Sequence, residues 1–233
     1  MPWITRKLYE WVFVHFRRRR MQQFFNTLSP TPQTRVLDVG GTANTWTNES
    51  VTSKSVASES TTSTSTASKS ANPTSFPVTL LNILDYGKQP DPRFTPVIGD
   101  ATAMPFPNRS FDIVFSNSVI EHVQTWEKQQ AFAHEVRRVG GYIWIQTPAR
   151  SFPIEAHLWA PWIQYLPKKL QHRIVQWTPR GLVQPHIVHQ IVEEVRLLTH
   201  REMKELFPDC VILEEKLLGL TKSYIAVRTT RQP

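Results

Sequence analysis

Three groups of residues have the types and spacing for chemistry. The first is Asp38, inside the apolar run Val36-Leu37-Asp38-Val39 and just ahead of Gly40 and Gly41. A carboxylate beside a glycine turn at the end of a buried strand can meet a polar or cationic ligand, because glycine lets the backbone approach more closely than a Cβ allows. The second is the pair Glu121-His122; His157 stands apart, in a later aromatic segment. An imidazole titrates near neutral pH and can therefore take up or hold a proton. The third is His186, His189 and Glu193, which share one face of a helix. They match no histidine-carboxylate motif of known spacing, so no metal is expected.

The turn Gly40-Gly41-Thr42-Ala43-Asn44-Thr45 lacks both later glycines of a dinucleotide fingerprint, and no Gly-Lys-Ser/Thr follows for a phosphate loop. Pyrophosphate and nucleoside triphosphate ligands therefore fit poorly, and a nicotinamide oxidoreductase is the least favoured reading.

These residues need elements to hold them. Arg35 to Val39, Val78 to Asp85, Phe94 to Ile98, Phe111 to Ser116 and Gly140 to Gln146 read as strands, with helical segments at about 119–138. Val211 to Leu217 and Ser223 to Arg228 read as two closing strands of a hairpin turning near Gly219. Thr199 and Glu202 have the spacing of a helix capping box. Alternation of strands and helices predicts an α/β fold, a Rossmann-like doubly wound sheet of about seven strands with helices on both faces and an antiparallel last strand.

At the N-terminus, segment 1–29 is expected to be helical, with Met21, Phe24, Phe25 and Leu28 on the sheet and Arg17 to Arg20 in water. For Trp3 to Phe16 the alternatives are packing or a basic amphipathic contact with a membrane surface or a partner. Residues from about 47 to 75 are dominated by serine and threonine, which predicts a disordered insertion. The 233 residues are expected to form one domain, with an aromatic, proline-punctuated region at about 149–198 on the acceptor side.

Val36-Leu37-Asp38-Val39-Gly40-Gly41 and the longer block from Gly99-Asp100-Ala101 through Phe111-Asp112-Ile113-Val114 to Ile120-Glu121-His122-Val123 resemble the class I S-adenosylmethionine-dependent methyltransferases, in particular the methyltransferase type 11 branch. The resemblance implies S-adenosyl-L-methionine as cofactor, its ammonium held by Asp38, Gly40 and Gly41. It implies Asn82 or Asp85 at the ribose, Asp100 and Ala101 at the adenine, and Asn117 near the methyl group. A family loop would also carry glycine at the positions of Thr42 and Asn44, and Asn44 tolerates the left-handed conformation that such a glycine supplies. His122 is the candidate base, Glu121 a cap, and His157 a candidate acceptor contact.

Methyl transfer to a small-molecule or lipid-like acceptor follows, because the acceptor-side region is aromatic rather than a basic stripe. The alternatives are a non-catalytic cofactor-binding or scaffold protein, and an RNA or protein methyltransferase. The net charge of +8 permits anionic partners, but nucleic acid is not expected. A single cysteine, Cys210, no apolar run of roughly 18 residues and no apolar core of a signal peptide before the basic block make a cytoplasmic location the expectation.

Overall fold

The computed structural model describes residues 3–46, 76–87, 89–155 and 157–230, with side chains from residue 14 onward. The serine- and threonine-rich stretch expected to be disordered lies outside the described residues. In chain order, helix α1 (Trp3–Leu28) precedes strands β1 (Val36–Val39), β2 (Val78–Asn82), β3 (Phe94–Ile98) and β4 (Phe111–Asn117). Helix α2 (Trp126–Val139) leads into β5 (Gly140–Pro148). The acceptor-side region holds a small ribbon of β6 (Ile154–Glu155) and β7 (Ala160–Pro161), then helices α3 (Lys168–Ile174), α4 (Pro179–Val183) and α5 (Pro185–Glu194). Helix α6 (His200–Leu206), β8 (Val211–Leu217) and β9 (Leu220–Arg228) follow.

Seven strands form one sheet in the order β3-β2-β1-β4-β5-β9-β8. β1 pairs in parallel with both β2 and β4, and β9 is antiparallel to β5 and β8. The last strand of the chain is thus the antiparallel one, inserted beside β5, as expected. The order reverses between β1 and β4, so the carboxyl ends of these two strands form the switch point at which α/β sheets bind ligands.

Strand alternation sends Leu37, Val39, Val114, Ile143 and Ile145 to one face, where Phe132, Val136 and Val139 of α2 and Met203 and Leu206 of α6 cover them. On the other face Val36, Val78, Phe115 and Trp144 meet Met21 and Phe24 of α1. Phe24 is fully buried and stands edge-on to Phe115, Trp144 and Trp46, at 5.3, 5.6 and 5.7 Å between ring centres. Burying such a ring stabilises by about 1.5–3 kcal/mol, and each edge-to-face pair adds about 0.5–1.5 kcal/mol.

Local signals place the element ends. α1 stops where Ser29 turns to a φ of 44°, its N–H reaching back to the carbonyl of Phe25, before two prolines that cannot continue a helix. Thr199 and Glu202 form the expected capping box. The closing hairpin turns at Leu218 and Gly219, both with positive φ.

Three expectations are corrected. β2 ends at Asn82, three residues early: its register with β3 closes at the pair Asn82 and Ile98, and Ile83 and Leu84 stand 75% and 64% exposed. The segment after β4 is a tight turn over Ile120–His122, and the helix starts only at Trp126, where Thr125 accepts a capping bond from the N–H of Lys128. The third correction concerns Arg20. Arg17, Arg18 and Arg19 are exposed, but the helical period puts Arg20 on the same stripe as Phe16 and Phe24, and it is buried. Its guanidinium donates to both carboxylate oxygens of Glu215, at 3.0 and 2.7 Å, to Gln146 Oε1 at 2.9 Å, and to Asn117 Oδ1. The pair holds the Glu215 carboxyl below the usual range: its burial acts upward but is outweighed by the charge and hydrogen bonds of Arg20 and by Ser223.

Truncating one member of a buried ion pair leaves an uncompensated charge. Glu215→Ala is therefore expected to cost about 3–5 kcal/mol in urea unfolding. Arg19→Ala, on the exposed face, should change stability by less than about 0.5 kcal/mol. Similar small effects for both would contradict the burial of Arg20.

Candidate active site

At the switch point Gly40 has a φ of +76° and sends its N–H to the carbonyl of Leu81 at 2.8 Å. A Cβ there would come within 2.4 Å of Val119, the residue that opens the turn after β4, so glycine lets the ends of β1 and β4 close on each other. Gly41 is required for a different reason. A Cβ on it would sit 1.8 Å from the carboxylate of Asp38. The carboxylate is thereby pressed against the backbone of its own turn.

Asp38 is 1% exposed. Its Oδ2 accepts from the indole N–H of Trp46 at 2.8 Å, and its Oδ1 is buried with no partner among the described residues. Burial pushes the carboxyl up from 3.8 to about 7, against the lowering effect of the Trp46 bond. A buried carboxylate with an unused oxygen fits a cationic ligand group such as an ammonium, which would satisfy that oxygen and favour the ionised form.

Past Gly41 the chain does not follow a glycine-rich path. Thr42 is extended, and Ala43–Thr45 form one tight turn, so Asn44 is not left-handed as expected. That turn brings Trp46 back under Asp38, where it packs on Phe24, Phe76 and Phe115. Trp46 was not among the residues expected at the site. Its signal was present, a lone tryptophan eight residues after a strand carboxylate, but it reads from sequence as ordinary core.

A cleft opens between this turn and the ends of β2 and β3, lined by Gly41, Ala43, Asn82, Asp85, Val97 and Ile98. Asn82 ends β2 and donates from Nδ2 to the carbonyl of Gly41 at 2.9 Å, which ties the strand to the glycine turn. Asp85 lies beyond the strand, exposed, with Oδ1 accepting from the N–H of Gly87 at 2.7 Å. Asp100 follows β3 and stands outside the lining of this cleft. Its Oδ1 accepts from the N–H and hydroxyl of Thr102, both at 2.8 Å, which lowers its pKa. The half-buried Ala101 packs on the core face. Asn117, at the end of β4, is held by Arg20. Asp112 has a structural part, accepting from the N–H and the guanidinium of Arg35.

The turn after β4 is fixed by Gln129 of α2. Gln129 is fully buried and donates to the carbonyls of Ile120 at 3.0 Å and Arg196 at 2.9 Å, while the N–H of Arg196 donates to the carbonyl of Glu121 at 2.8 Å. The Glu121 side chain does not cap a helix, which corrects its expected role. It points into the protein and is fully buried, Oε2 accepting from the hydroxyl of Thr147 at 2.9 Å and Oε1 without a partner among the described residues. Burial raises its pKa.

His122 and His157, 35 positions apart in sequence, meet edge-on with ring centres 4.8 Å apart. Surrounding protein, and then the charge of His157, lower His122 to about 4. His122 also exposes surface to water, which weakens that effect, and the ring is neutral at pH 7 in either case. Burial acts to lower His157 too, but its bond to Glu155 and the charges of Glu155 and Glu121 outweigh this and raise it. Glu155 takes Nδ1 of His157 at 2.7 Å and the N–H of Leu158 at 2.6 Å. Of the helical set, His186 takes no part: His172 approaches His189 at 2.9 Å and Glu193 at 2.6 Å, which engages both of its ring nitrogens.

The acceptor-side region has its own small core of Leu158, Ile163, Val175, Val188 and Val192. Its aromatic residues are not that core: Trp162, Tyr165 and Trp177 are 60%, 48% and 72% exposed. A second cleft runs beneath it, with Arg150, Glu155, Leu158, Gln171 and Arg196 in its walls.

The family model described as a methyltransferase domain matches residues 13–184, and the chain belongs to that family. With the seven-strand order of the sheet, this makes it a class I S-adenosylmethionine-dependent methyltransferase. No curated protein matches the sequence. Among solved structures, a Rhodobacter sphaeroides protein provisionally described as a zinc-dependent alcohol dehydrogenase is 13% identical, with a TM-score of 0.54 over 92% of this chain and 90% of that one. The 1,6-didemethyltoxoflavin-N1-methyltransferase of Burkholderia thailandensis is 13% identical, with a TM-score of 0.50 over 94% of this chain and 80% of that one. At these identities the likeness is one of fold.

The Asp38 carboxyl binds its proton more tightly in the folded chain than in the unfolded one. Its contribution to stability is full below about pH 4 and is lost as the pH rises to about 7. Urea unfolding between pH 5 and 8 should therefore show stability falling with pH, and Asp38→Asn should flatten that slope. Trp46→Phe, which removes the only donor to the carboxylate among the described residues, should cost about 1–3 kcal/mol. A slope unchanged in Asp38→Asn would contradict the assignment.

Proposed function

We propose that the chain transfers a methyl group from S-adenosylmethionine to a small-molecule or lipid-like acceptor by in-line displacement. The observation that carries this reading is the buried Oδ1 of Asp38 at the glycine turn, without a partner among the described residues; a cationic group would balance its charge. Asp38 would hold the methionine ammonium, helped by the backbone of Gly40 and Gly41. Asn82 and Asp85, on the wall of the adjoining cleft, would meet the ribose hydroxyls. Asp100 would use its second oxygen, Oδ2, toward the adenine, with the backbone of Ala101 beside it, and Asn117 would flank the methyl group.

When bound, the cofactor supplies an electrophilic methyl on a sulfonium, and much of the remaining task is positioning. The acceptor side is supported by the cleft under residues 149–198, by the exposed Trp162 and Tyr165, and by His157, which is bonded to Glu155 in the cleft wall. The structurally similar Burkholderia protein, which binds 1,6-didemethyltoxoflavin, is in keeping with a small molecule here. His122, neutral at pH 7, offers a lone pair on the same side. Peripheral membrane contact through α1 stays an expectation of the sequence: Arg17, Arg18 and Arg19 are exposed, but Arg20 is buried. No helix among the described residues is long and apolar enough to cross a membrane. The cytoplasmic location stays an expectation of the sequence.

Calorimetry with S-adenosylmethionine tests the reading. Asp38→Ala should weaken binding about tenfold or more, the loss of one charged hydrogen bond of roughly 1.5–3 kcal/mol. Asp100→Ala should weaken it by a smaller factor. Incubation with a labelled methyl donor and a panel of small hydroxyl- and amine-bearing acceptors should yield the demethylated cofactor. Binding unaffected by both substitutions would refute the site, and binding without turnover on any acceptor would favour the non-catalytic alternative.

A further inference from the structure

We propose that Glu121, His122 and His157 bind a divalent transition-metal ion, with zinc as the best fit. One ligand atom from each of the three lies within 4.8 Å of the others. Two imidazole nitrogens and one carboxylate oxygen are the donor set of open zinc sites, where a fourth position is left to water or substrate. Bonds of about 2.0–2.2 Å in a tetrahedral site put ligand atoms about 3.3 Å apart. The three side chains thus need to draw in by about 1.5 Å at most, which rotation about the side-chain bonds allows.

The surroundings prepare each ligand. Glu121 is fully buried, and Thr147 occupies only Oε2, so Oε1 is a buried acceptor with no donor among the described residues. A buried carboxylate oxygen left in that condition is costly unless a cation meets it. Glu155 accepts a hydrogen bond from Nδ1–H of His157 at 2.7 Å, which in the neutral ring leaves Nε2 as the lone-pair nitrogen. A carboxylate behind a histidine is the usual outer partner of a metal-bound imidazole, fixing its tautomer and orientation. Glu155 is itself held by the N–H of Leu158. Gln129 and Arg196 fix the backbone that carries Glu121 and His122. His122 is exposed, which provides the entry path for an ion.

The site lies where the end of β4 faces the acceptor-side region. An ion there, with an open position, would bind an acceptor oxygen and raise its acidity. That use rests on the methyl-transfer reading; the binding of the ion does not. The exposed cluster of His172, His189 and Glu193 lacks these features, since its rings stack at 5.2 Å and its charged groups stand in solvent.

The test uses the full chain, stripped of metal and with no methyl donor present, so that its failure is separate from a failure of the methyl-transfer reading. Zinc should bind at one equivalent per chain, and cobalt should give the visible absorption of a low-symmetry nitrogen and oxygen site. Thr147→Val and Glu155→Gln, which touch ligands and not the ion, should each weaken zinc binding about 10–100-fold. Glu121→Gln should weaken it at least as much, while His172→Ala leaves it unchanged. Should Glu121→Gln fail to fold, the cobalt spectrum of the unaltered chain together with Glu155→Gln decides. Less than one equivalent bound, no cobalt absorption, or binding lost in His172→Ala and retained in Glu155→Gln would overturn the proposal.

Discussion

The structure turns on one buried carboxylate. Asp38 sits on a central strand, its carboxylate with a single hydrogen bond among the described residues, and its neighbours are arranged to tolerate it. Gly41 leaves the room its oxygens occupy, Gly40 brings the end of β4 alongside, and Trp46 supplies that bond. The indole of Trp46 packs on Phe24, Phe76 and Phe115, which hold it beneath the carboxylate. α1, the glycine turn and the sheet are therefore coupled through a group whose ionised form costs several kcal/mol to bury without a counter-charge. An enzyme that binds a cationic cofactor has a use for such a place, because the ligand relieves a cost already present in the fold.

A second layer of buried polar groups orders the carboxyl edge of β4 and β5. Arg20 reaches from α1 across the sheet to Asn117, Gln146 and Glu215, and so ties the N-terminal helix to the closing hairpin. On the far side of the same edge, Thr147 of β5 positions Glu121, and Glu155 positions His157. Adjacent residues of β5, Gln146 and Thr147, point to opposite faces and serve the two networks. The edge where the cofactor and the acceptor would meet is thus built from side chains held in place by buried hydrogen bonds, which suits a reaction that depends on holding two partners in line.

Much of this was legible in the sequence. The apolar runs marked all seven strands, the Thr199 and Glu202 spacing marked the cap of α6, and the two motif blocks identified the class. Where reading by residue type failed, long-range pairing was the reason. β2 stops at Asn82 because its neighbour β3 stops at Ile98, although Ile83 and Leu84 continue the apolar pattern. Arg20 looked like the fourth member of a solvated block, and only its phase with Phe16 and Phe24 separates it from Arg17 to Arg19. Glu121 looked like a cap because its partner, Thr147, lies on another strand. His157 was named as an acceptor contact, but its meeting with His122 and Glu155 depends on the fold of the acceptor-side region, which no local pattern specified.

The most direct test of the account is the titration of the Asp38 carboxyl carbon by NMR, with and without S-adenosylmethionine. Without ligand the carboxyl should titrate near 7, and with the cofactor bound its midpoint should fall below the ordinary value of 3.8 as the ammonium stabilises the ionised form. A midpoint near 4 in the unliganded protein, or one that the cofactor leaves unmoved, would contradict the central place given to this residue.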